Sequence, residues 1–316
     1  MKKRAALLVA LSLAVVTVLA GCGGKDSSKS ADSKDSAATF EEKKEGDTFT
    51  VGFDQDFPPM GFVGDDGEYT GFDLELAKEV CDRNGWEFNP EPIAWDSKDA
   101  LLKSGEIDCI WNGFTMNGRE DEYTWSEPYL DNQQVFVVRA DSGINSEKDL
   151  AGKAVDVQTD SSAEAALKDN TELSSTFSTE IIPDYNTGFM NLESGAVDAV
   201  AMDIVVAKYQ IESRSAEFKI LDYEIASEQY GVGFAKGNDA VKDQVQKTLE
   251  EMAADGTLAK ISTKWFGEDK MENARVFASV DNVCILKTGG PFFLKSDDND
   301  SRGGILVWQH QSCYKN

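Results

Sequence analysis

Residues 47–270 alternate between two hydrophobic patterns, which predict helices and strands in turn. In residues 73–84 apolar side chains recur four positions apart, so that Leu76 pairs with Val80 and Ala77 with Cys81 on one face of a predicted helix. The same spacing covers 97–103, 162–168, 187–193, 203–211 and 240–254, and short β-rich runs cover 48–53, 87–92, 107–111, 134–139, 154–158, 197–202 and 232–235. Strands that alternate with helices predict an α/β fold with mostly parallel sheets flanked by helices.

The first 21 residues have the pattern of an export signal rather than of a folded element. Lys2, Lys3 and Arg4 precede an apolar run over 5–19, which is shorter than the roughly 20 residues that span a bilayer. The run closes with the letters LAGC, which resemble the box at which bacterial lipoproteins receive a diacylglycerol on the cysteine. We therefore expect a signal peptide over 1–21 and a lipidated Cys22. A plain signal peptide with a chance cysteine is the alternative.

Two further segments differ in composition from the α/β region. Residues 22–46 are rich in Ser, Asp and Lys, with Phe40 as their one aromatic residue. They predict a flexible tether, because such a segment cannot bury enough surface to fold. Residues 271–316 show no clear period and no charge bias, and we interpret them as a disordered extension or as the product of a shifted reading frame. We assign this last segment no function.

The charge balance excludes one broad class of partner. The chain has 31 Lys and Arg against 57 Asp and Glu, a formal net charge of −26, whereas nucleic-acid binding needs a basic surface. The one histidine, His310, lies outside the α/β region, which therefore lacks a histidine base to activate a nucleophile. The cysteines show no metal-site spacing. We expect Cys81 and Cys109 to be small buried hydrophobes, and their spacing leaves open whether they pair.

Residues 71–81 read GFDLELAKEVC, and this run resembles the signature of the extracellular solute-binding proteins for polar amino acids. Further landmarks follow in the order of that family: NGFT at 112–115, SEPY at 126–129, VQ at 157–158, GAVDAV at 195–200 and KWFG at 264–267. The resemblance implies the two-lobe, type II fold of the periplasmic binding proteins. One lobe would comprise 47–130 and 228–270, the other 131–227, and the two would close on a ligand about a hinge.

The carboxylate of an amino acid needs a charged or hydrogen-bonding partner when it is removed from water. Arg119 is the candidate, because it follows a predicted strand end, where α/β sheets bind ligands. The resemblance implies a main-chain contact from Gly113 and a hydroxyl contact from Thr115. Arg119 stands one residue closer to Thr115 than in the commonest family spacing. A surface arginine paired with Glu120 or Asp121 is the alternative.

Across the predicted cleft, the resemblance implies contacts at two further strand ends. Gln158 ends a strand, and Ser161 and Ser162 match positions where the family offers hydroxyls and amides at a helix start. A serine N-cap is the alternative. Asp160 stands where a glycine is common, which places an acid beside the carboxylate site. Asp203 matches the aspartate that binds the ligand's ammonium group in the family, with a helix cap as the alternative.

We expect four residues to recognise the ligand's side chain, namely Asp54, Phe57, Trp95 and Asn112. The resemblance implies that Phe57 and Trp95 sandwich this side chain, although lone aromatic residues commonly belong to the core. Asp54 can accept hydrogen bonds from an amide, an ammonium or a guanidinium group. It therefore favours glutamine or a basic amino acid over an acidic one, with bracing of its own loop as the alternative.

The signal and the LAGC box predict an exported protein that is anchored by lipid to the outer face of the cell membrane. The family resemblance implies a receptor that captures a free polar amino acid and delivers it to an ABC transporter permease with its ATPase. We expect a monomer without cofactor, metal or catalytic residues. Two other classes stay open, namely an enzyme on the same fold (a dehydratase or a peptidoglycan-cleaving enzyme) and a sensor ectodomain. The latter would require a transmembrane helix after the lobes, which the sequence there does not predict.

Overall fold

The computed structural model describes residues 40–214 and 218–271, together with the backbone of 279–280 and 283–284. The predicted signal peptide, Cys22, most of the predicted tether and most of 271–316 lie outside these residues. Ser279–Val280 pairs in antiparallel orientation with Val283–Cys284. The described part of the chain holds no helix with the length and hydropathy that a membrane span needs.

The described residues form strands interspersed with helices, as the hydrophobic pattern predicts. The strands are β1 (Thr48–Phe53), β2 (Asp56–Phe57), β3 (Gly61–Val63), β4 (Tyr69–Thr70), β5 (Glu87–Pro92), β6 (Cys109–Ile110), β7 (Thr124–Trp125), β8 (Leu130–Arg139), β9 (Ala154–Gln158), β10 (Ser178–Ile182), β11 (Ala199–Asp203), β12 (Phe218–Tyr230) and β13 (Gly233–Phe234). The α-helices are α1 (Phe72–Asn84), α2 (Lys98–Ser104), α3 (Ser162–Asp169), α4 (Thr171–Ser174), α5 (Tyr185–Ser194), α6 (Ile204–Ser213), α7 (Asp239–Ala254) and α8 (Thr257–Phe266).

Two five-stranded sheets organise the fold and confirm the α/β class. The first has the strand order β5-β1-β6-β13-β7, and the second has the order β10-β9-β11-β8-β12. In the first sheet β1 runs parallel to β5 and β6, while β13 runs antiparallel to β6 and β7. In the second, β9 runs parallel to β10 and β11, while β8 runs antiparallel to β11 and β12. The sheets are therefore mixed rather than mostly parallel.

The antiparallel pairings have a simple origin, because the chain passes from one sheet to the other and returns. β8 enters the second sheet directly after β7, and β12 leaves it directly before β13. The outgoing and the returning strand lie side by side, with Leu130 opposite Tyr230 at the end nearest the first sheet. The two strands thus connect the sheets in both directions.

Helix α1 covers one face of the first sheet and carries the GFDLELAKEVC motif. Its apolar residues include Leu76, Val80 and Cys81, which are fully buried. Cys81 and Cys109 are both buried and free, which confirms that they are small core residues. The helix ends at Gly85, whose left-handed backbone (φ 70°) suits a glycine.

Gly71 precedes α1 in a conformation that excludes a side chain. Its φ is 145°, and an added Cβ would lie 2.3 Å from the carbonyl oxygen of Met60. Gly71→Ala should therefore lower the free energy of unfolding by about 3 kcal/mol, because backbone must move. Gly67→Ala is the control, since φ there is 84° with open space around it, and it should cost only about 1 kcal/mol. Equal losses in urea denaturation would contradict the assignment.

Candidate functional site

A cavity lies where strand ends of the two sheets face each other, and it brings most of the predicted site residues together. Asn112 follows β6, Gln158 ends β9 and Asp203 ends β11. Asp54 and Gly113 do not line the cavity but contact residues that do. The lining residues are Phe57, Trp95, Asn112, Thr115, Arg119, Gln158, Ser161, Ser162 and Asp203.

Arg119 reaches the cavity with main-chain partners on both sides of it. Its Nη1 donates to the carbonyl oxygen of Thr115 and its Nη2 to that of Asp160, each over 3.3 Å. Thr115 follows β6 of the first sheet, and Asp160 follows β9 of the second. No ion pair among the described residues includes Arg119, so it is not held by Glu120 or Asp121. Its positive charge is therefore available to an anion.

Asp160 does not leave a free negative charge beside Arg119, because its carboxylate pairs with Lys98 from the first sheet's side of the cleft. Lys98 is only 1% exposed, and its Nζ lies 5.2 Å from the centre of the Trp95 ring. The backbone of Asp160 is left-handed (φ 55°), which explains why a glycine suits this position. Sequence reasoning missed Lys98, because its polar helical setting is typical of a surface lysine.

The Lys98–Asp160 pair crosses the cleft, and its loss should favour separation of the two sides. In Asp160→Gly the buried ammonium of Lys98 loses its partner, although glycine removes the strain of the left-handed backbone at this position. We expect a larger radius of gyration in solution scattering and weaker ligand binding, by about 1–3 kcal/mol. Asp160→Asn tolerates the same backbone and removes only the charge, so it should reproduce most of the effect. Wild-type behaviour in both variants would show that the pair does not hold the cleft.

Asp203 lines the cavity from the second sheet and is almost completely buried. Its Oδ1 accepts hydrogen bonds from Asn132 Nδ2 at 2.9 Å, from Gln134 Nε2 at 2.8 Å and from the Tyr230 hydroxyl at 2.5 Å. Burial and the neighbouring carboxylate of Glu228 raise the pKa of Asp203 well above its usual range. A cationic group of a ligand would stabilise the ionised carboxylate against both burial and the charge of Glu228.

Glu228 is a site residue that sequence reasoning missed. It lies in β12, is 5% exposed, and accepts at Oε1 from Asn132 at 2.6 Å and from Gln134 at 2.7 Å. Its Oε2 accepts from the hydroxyl of Thr115 at 3.0 Å. The Thr115 hydroxyl, expected to face a ligand, therefore donates to Glu228 instead. The acids are too numerous for the pattern alone to identify this one.

Two further residues that were predicted to contact the ligand form hydrogen bonds within the protein. Ser161 caps α3, since its Oγ accepts from the N–H of Glu164 at 3.1 Å. Ser162 Oγ accepts from Gln134 Nε2 at 2.9 Å. Both serines line the cavity, so the cap and a ligand contact are compatible, and the ligand contact stays a prediction.

Gly113 approaches the cavity closely, but its amide points elsewhere. The Gly113 N–H donates to Asp73 Oδ2 at 2.6 Å, so this amide is not available to a ligand in this arrangement. Its φ is 57°, and an added Cβ would lie 2.9 Å from Cε1 of Phe57. The glycine thus lets Phe57 pack against the strand end, which is a different use from the predicted main-chain contact.

Asp54 is buried and bridges the two sides of the cleft. Its Oδ2 accepts from Gln158 Nε2 at 2.7 Å, its Oδ1 accepts from the N–H of Asp56, and its own N–H donates to Asn112 Oδ1. Burial raises the pKa of Asp54 to about 6, although the hydrogen bonds from Asp56 and Gln158 oppose this shift. Asp54 therefore braces its loop and also offers an acceptor at the cleft.

A second, more open cavity adjoins the first, with Trp95 in the wall of both. Its volume is about 350 Å³. Three carboxylates stand in its wall, two from the first sheet's side and one from the second sheet's side. Its lining residues are Asp54, Gln55, Asp56, Pro92, Ile93, Ala94, Trp95, Pro183 and Asp184.

The first cavity is too small for an amino acid as the cleft stands. Its volume is about 20 Å³, which is room for about one water molecule. Hydrogen bonds from Gln158 to Asp54 and from Asn186 to Asp56, each over 2.7 Å, hold the two sides together. A ligand therefore requires these contacts to break or shift while the cleft opens.

The chain is similar to known solute-binding proteins over nearly all of the described region. The sequence profile of the family described as bacterial extracellular solute-binding proteins, family 3, matches residues 49–268. The L-cystine-binding protein TcyA of Bacillus subtilis strain 168 is 32% identical, over 85% of this chain and 99% of that one. The L-cystine-binding protein TcyJ of Escherichia coli K12 is 32% identical, over 72% of this chain and 85% of that one.

Solved structures match the same region. An ABC uptake transporter substrate binding protein from Streptococcus pneumoniae with bound histidine is 33% identical with a TM-score of 0.69, over 71% of this chain and 94% of that one. An ancestral arginine-binding protein bound to arginine is 36% identical with a TM-score of 0.65, over 70% of this chain and 98% of that one. The fold is that of the type II periplasmic binding proteins. The chain belongs to family 3 of the bacterial extracellular solute-binding proteins.

Proposed function

We propose that this protein is an exported receptor that captures a free polar amino acid and delivers it to an ABC transporter permease, without catalysis. One observation carries the proposal: Arg119 and Asp203 line the same cavity from opposite sheets. An α-amino acid carries its carboxylate and its ammonium on one carbon atom, and each needs an opposite charge when water is excluded. A guanidinium and a carboxylate supply both partners. Relatives named for binding cystine, arginine and glutamine support this ligand class.

A basic amino acid is the ligand that the charges favour. The second cavity carries the carboxylates of Asp54, Asp56 and Asp184, and Trp95 joins it to the first. A long cationic side chain that passes over the Trp95 ring reaches these carboxylates, whereas an acidic side chain is repelled. Glutamine is the second candidate, because its amide can donate to Asp54. Cystine is included in the test because two relatives are named for binding it.

Closure of two lobes is the proposed binding step, with 131–227 moving against 47–130 and 228–270. The strands β8 and β12 are the hinge candidates, because they connect the two sheets. A ligand gains its contacts with both Arg119 and Asp203 only when the lobes approach each other. Its higher affinity for the closed state then drives closure.

A lipid on Cys22 is proposed to hold the receptor at the outer face of the cell membrane, with residues 22–46 as a tether. The LAGC box supports this proposal. Cys22→Ala should abolish labelling by a fatty-acid probe and release the protein from membranes. A mutant that stays bound through detergent-free washing would contradict the anchor.

A thermal-shift screen of the purified protein against the twenty amino acids and cystine tests the proposed function. A ligand at 100 times its dissociation constant adds about 2.7 kcal/mol to the free energy of unfolding. We expect the largest shift with arginine or lysine, a smaller one with glutamine and none with glutamate. If no amino acid shifts the transition, the proposed function is wrong.

A further inference from the structure

Two carboxylates, those of Asp203 and Glu228, meet beside the cavity. Asp203 Oδ1 and Glu228 Oε1 accept from the same two amides: Asn132 Nδ2 at 2.9 and 2.6 Å, and Gln134 Nε2 at 2.8 and 2.7 Å. Two oxygens within about 3 Å of the same nitrogens are close neighbours. The two acids come from different strands, β11 and β12, and both are almost fully buried.

Neutral groups surround this pair of carboxylates. Besides the two amides, the hydroxyls of Tyr230 and Thr115 donate to it, and Tyr185 faces it from α5. Burial and the acids raise the pKa of both tyrosines well above its usual value, so they stay neutral. The other charged groups around the pair are Arg119, which lines the same cavity, and Asp54, whose charge contributes to the raised pKa of Tyr185. No ion pair among the described residues involves either carboxylate.

Two buried negative charges without a cation are costly, and protonation of one of them removes most of that cost. The direction of the pKa shift of Asp203 agrees, because burial and Glu228 both raise it. The donors are also insufficient for two full charges, since Gln134 Nε2 has two hydrogens and lies near three acceptors. The close approach of the carboxylates and the shortage of donors therefore favour one proton shared between them when no ligand is present.

We propose that Asp203 and Glu228 form a proton-exchanging receptor for the ligand's α-ammonium group, which replaces the proton that the empty pair shares. This inference rests on the proposed function, in which the ligand is an amino acid. The O–H bond of the protonated carboxyl group breaks and its proton leaves to solvent. The ammonium keeps its own protons and donates to the pair, which is now fully ionised. Asp203 lines the cavity and contacts the ligand, whereas Glu228 lies behind it as a positioning residue.

The exchange links affinity to pH. Because binding releases one proton, a rise in proton concentration opposes it, and affinity falls about tenfold for each unit of acidification while the pair is protonated. Glu228→Gln removes the second charge and keeps an acceptor for Thr115. Asp203 then lacks the neighbouring carboxylate that, together with burial, raises its pKa, so binding should release fewer protons than in the wild type.

Calorimetry on the purified protein tests this exchange, with L-arginine, L-glutamine and L-cystine as probes. Titrations in buffers of different ionisation enthalpy count the protons that leave on binding. We expect close to one proton for the wild type and clearly fewer for Glu228→Gln, whose affinity should also vary less with pH. Glu224→Gln is the matched control, since Glu224 is an exposed acid of the same strand that accepts from the Gln133 amide. It should release protons as the wild type does.

The outcomes separate this inference from the function on which it rests. Binding without proton release at neutral and mildly acidic pH, or equal release from Glu228→Gln, overturns the inference and leaves the amino-acid receptor intact. Absence of binding by any amino acid overturns the proposed function itself. Infrared spectroscopy needs no ligand: the carbonyl band of protonated carboxyl groups at neutral pH should be weaker in Glu228→Gln than in wild type or Glu224→Gln. An unchanged band also overturns the inference.

Discussion

Replacing Arg119 with alanine should weaken amino-acid binding by about 2–5 kcal/mol, and Asp203→Ala should cost a similar amount. Arg119→Ala leaves the ligand's carboxylate buried without its partner, and Asp203→Ala removes the carboxylate that contacts its ammonium group. Arg119→Lys should recover only part of the loss, because an ammonium cannot match a carboxylate with two parallel hydrogen bonds. Calorimetry with the ligand that gives the largest thermal shift measures all three.

Arg83→Ala is the matched control for the loss of a guanidinium. Arg83 pairs with Glu79 and Asp255, away from the cavity. Its removal should leave the affinity unchanged, whatever it does to stability. Wild-type affinity in Arg119→Ala or in Asp203→Ala would remove that residue from the binding site.

Asp73 should make the stability of the protein depend on pH near neutrality. It is fully buried, and its Oδ2 accepts from the Gly113 N–H at 2.6 Å and from the Tyr129 hydroxyl at 2.9 Å. Burial raises its pKa from 3.8 to about 7. A raised pKa means that the folded state binds the proton more tightly than the unfolded state. The stabilisation is therefore full below about pH 4 and is lost as the pH rises through about 7.

Asp73→Asn isolates this contribution, because an amide does not titrate. Relative to the variant, the wild type should lose up to about 4 kcal/mol of unfolding free energy between those two pH values. Urea denaturation at a series of pH values measures the difference. Asp82→Asn, at an exposed position of the same helix, should give a profile parallel to the wild type. If the profile of Asp73→Asn is also parallel, Asp73 does not change its protonation on unfolding.

Local hydrophobic pattern predicts those elements whose pattern is uninterrupted. The strands at 48–53 and 154–158 have the predicted bounds. The pattern does not predict β12, because register shifts between Ile220 and Glu224 and again before Ala226 break its alternation. It also misses β10, an edge strand whose residues are exposed except for Ile182, so that no apolar face marks it.

Some residues of the candidate site can be predicted from the sequence and others cannot. Arg119 can be identified from the sequence because arginines are scarce in the α/β region. Asp203 can be identified because it ends a clear apolar strand. Glu228 and Lys98 cannot be, because each is one of many similar charged residues and becomes distinctive only through its burial. Their partners are distant along the chain: Thr115 hydrogen-bonds to Glu228, and Asp160 pairs with Lys98.

Whether Arg119 binds the ligand's carboxylate can be tested with a ligand that lacks this group. Calorimetry would compare the amino acid with its methyl ester, which lacks the carboxylate, on the wild type and on Arg119→Ala. We expect the ester to bind the wild type weakly and to bind Arg119→Ala about as well, because both changes remove the same contact and their costs do not add. If the two losses summed in full, Arg119 and the carboxylate would act independently, and Arg119 would not be the group that binds the carboxylate.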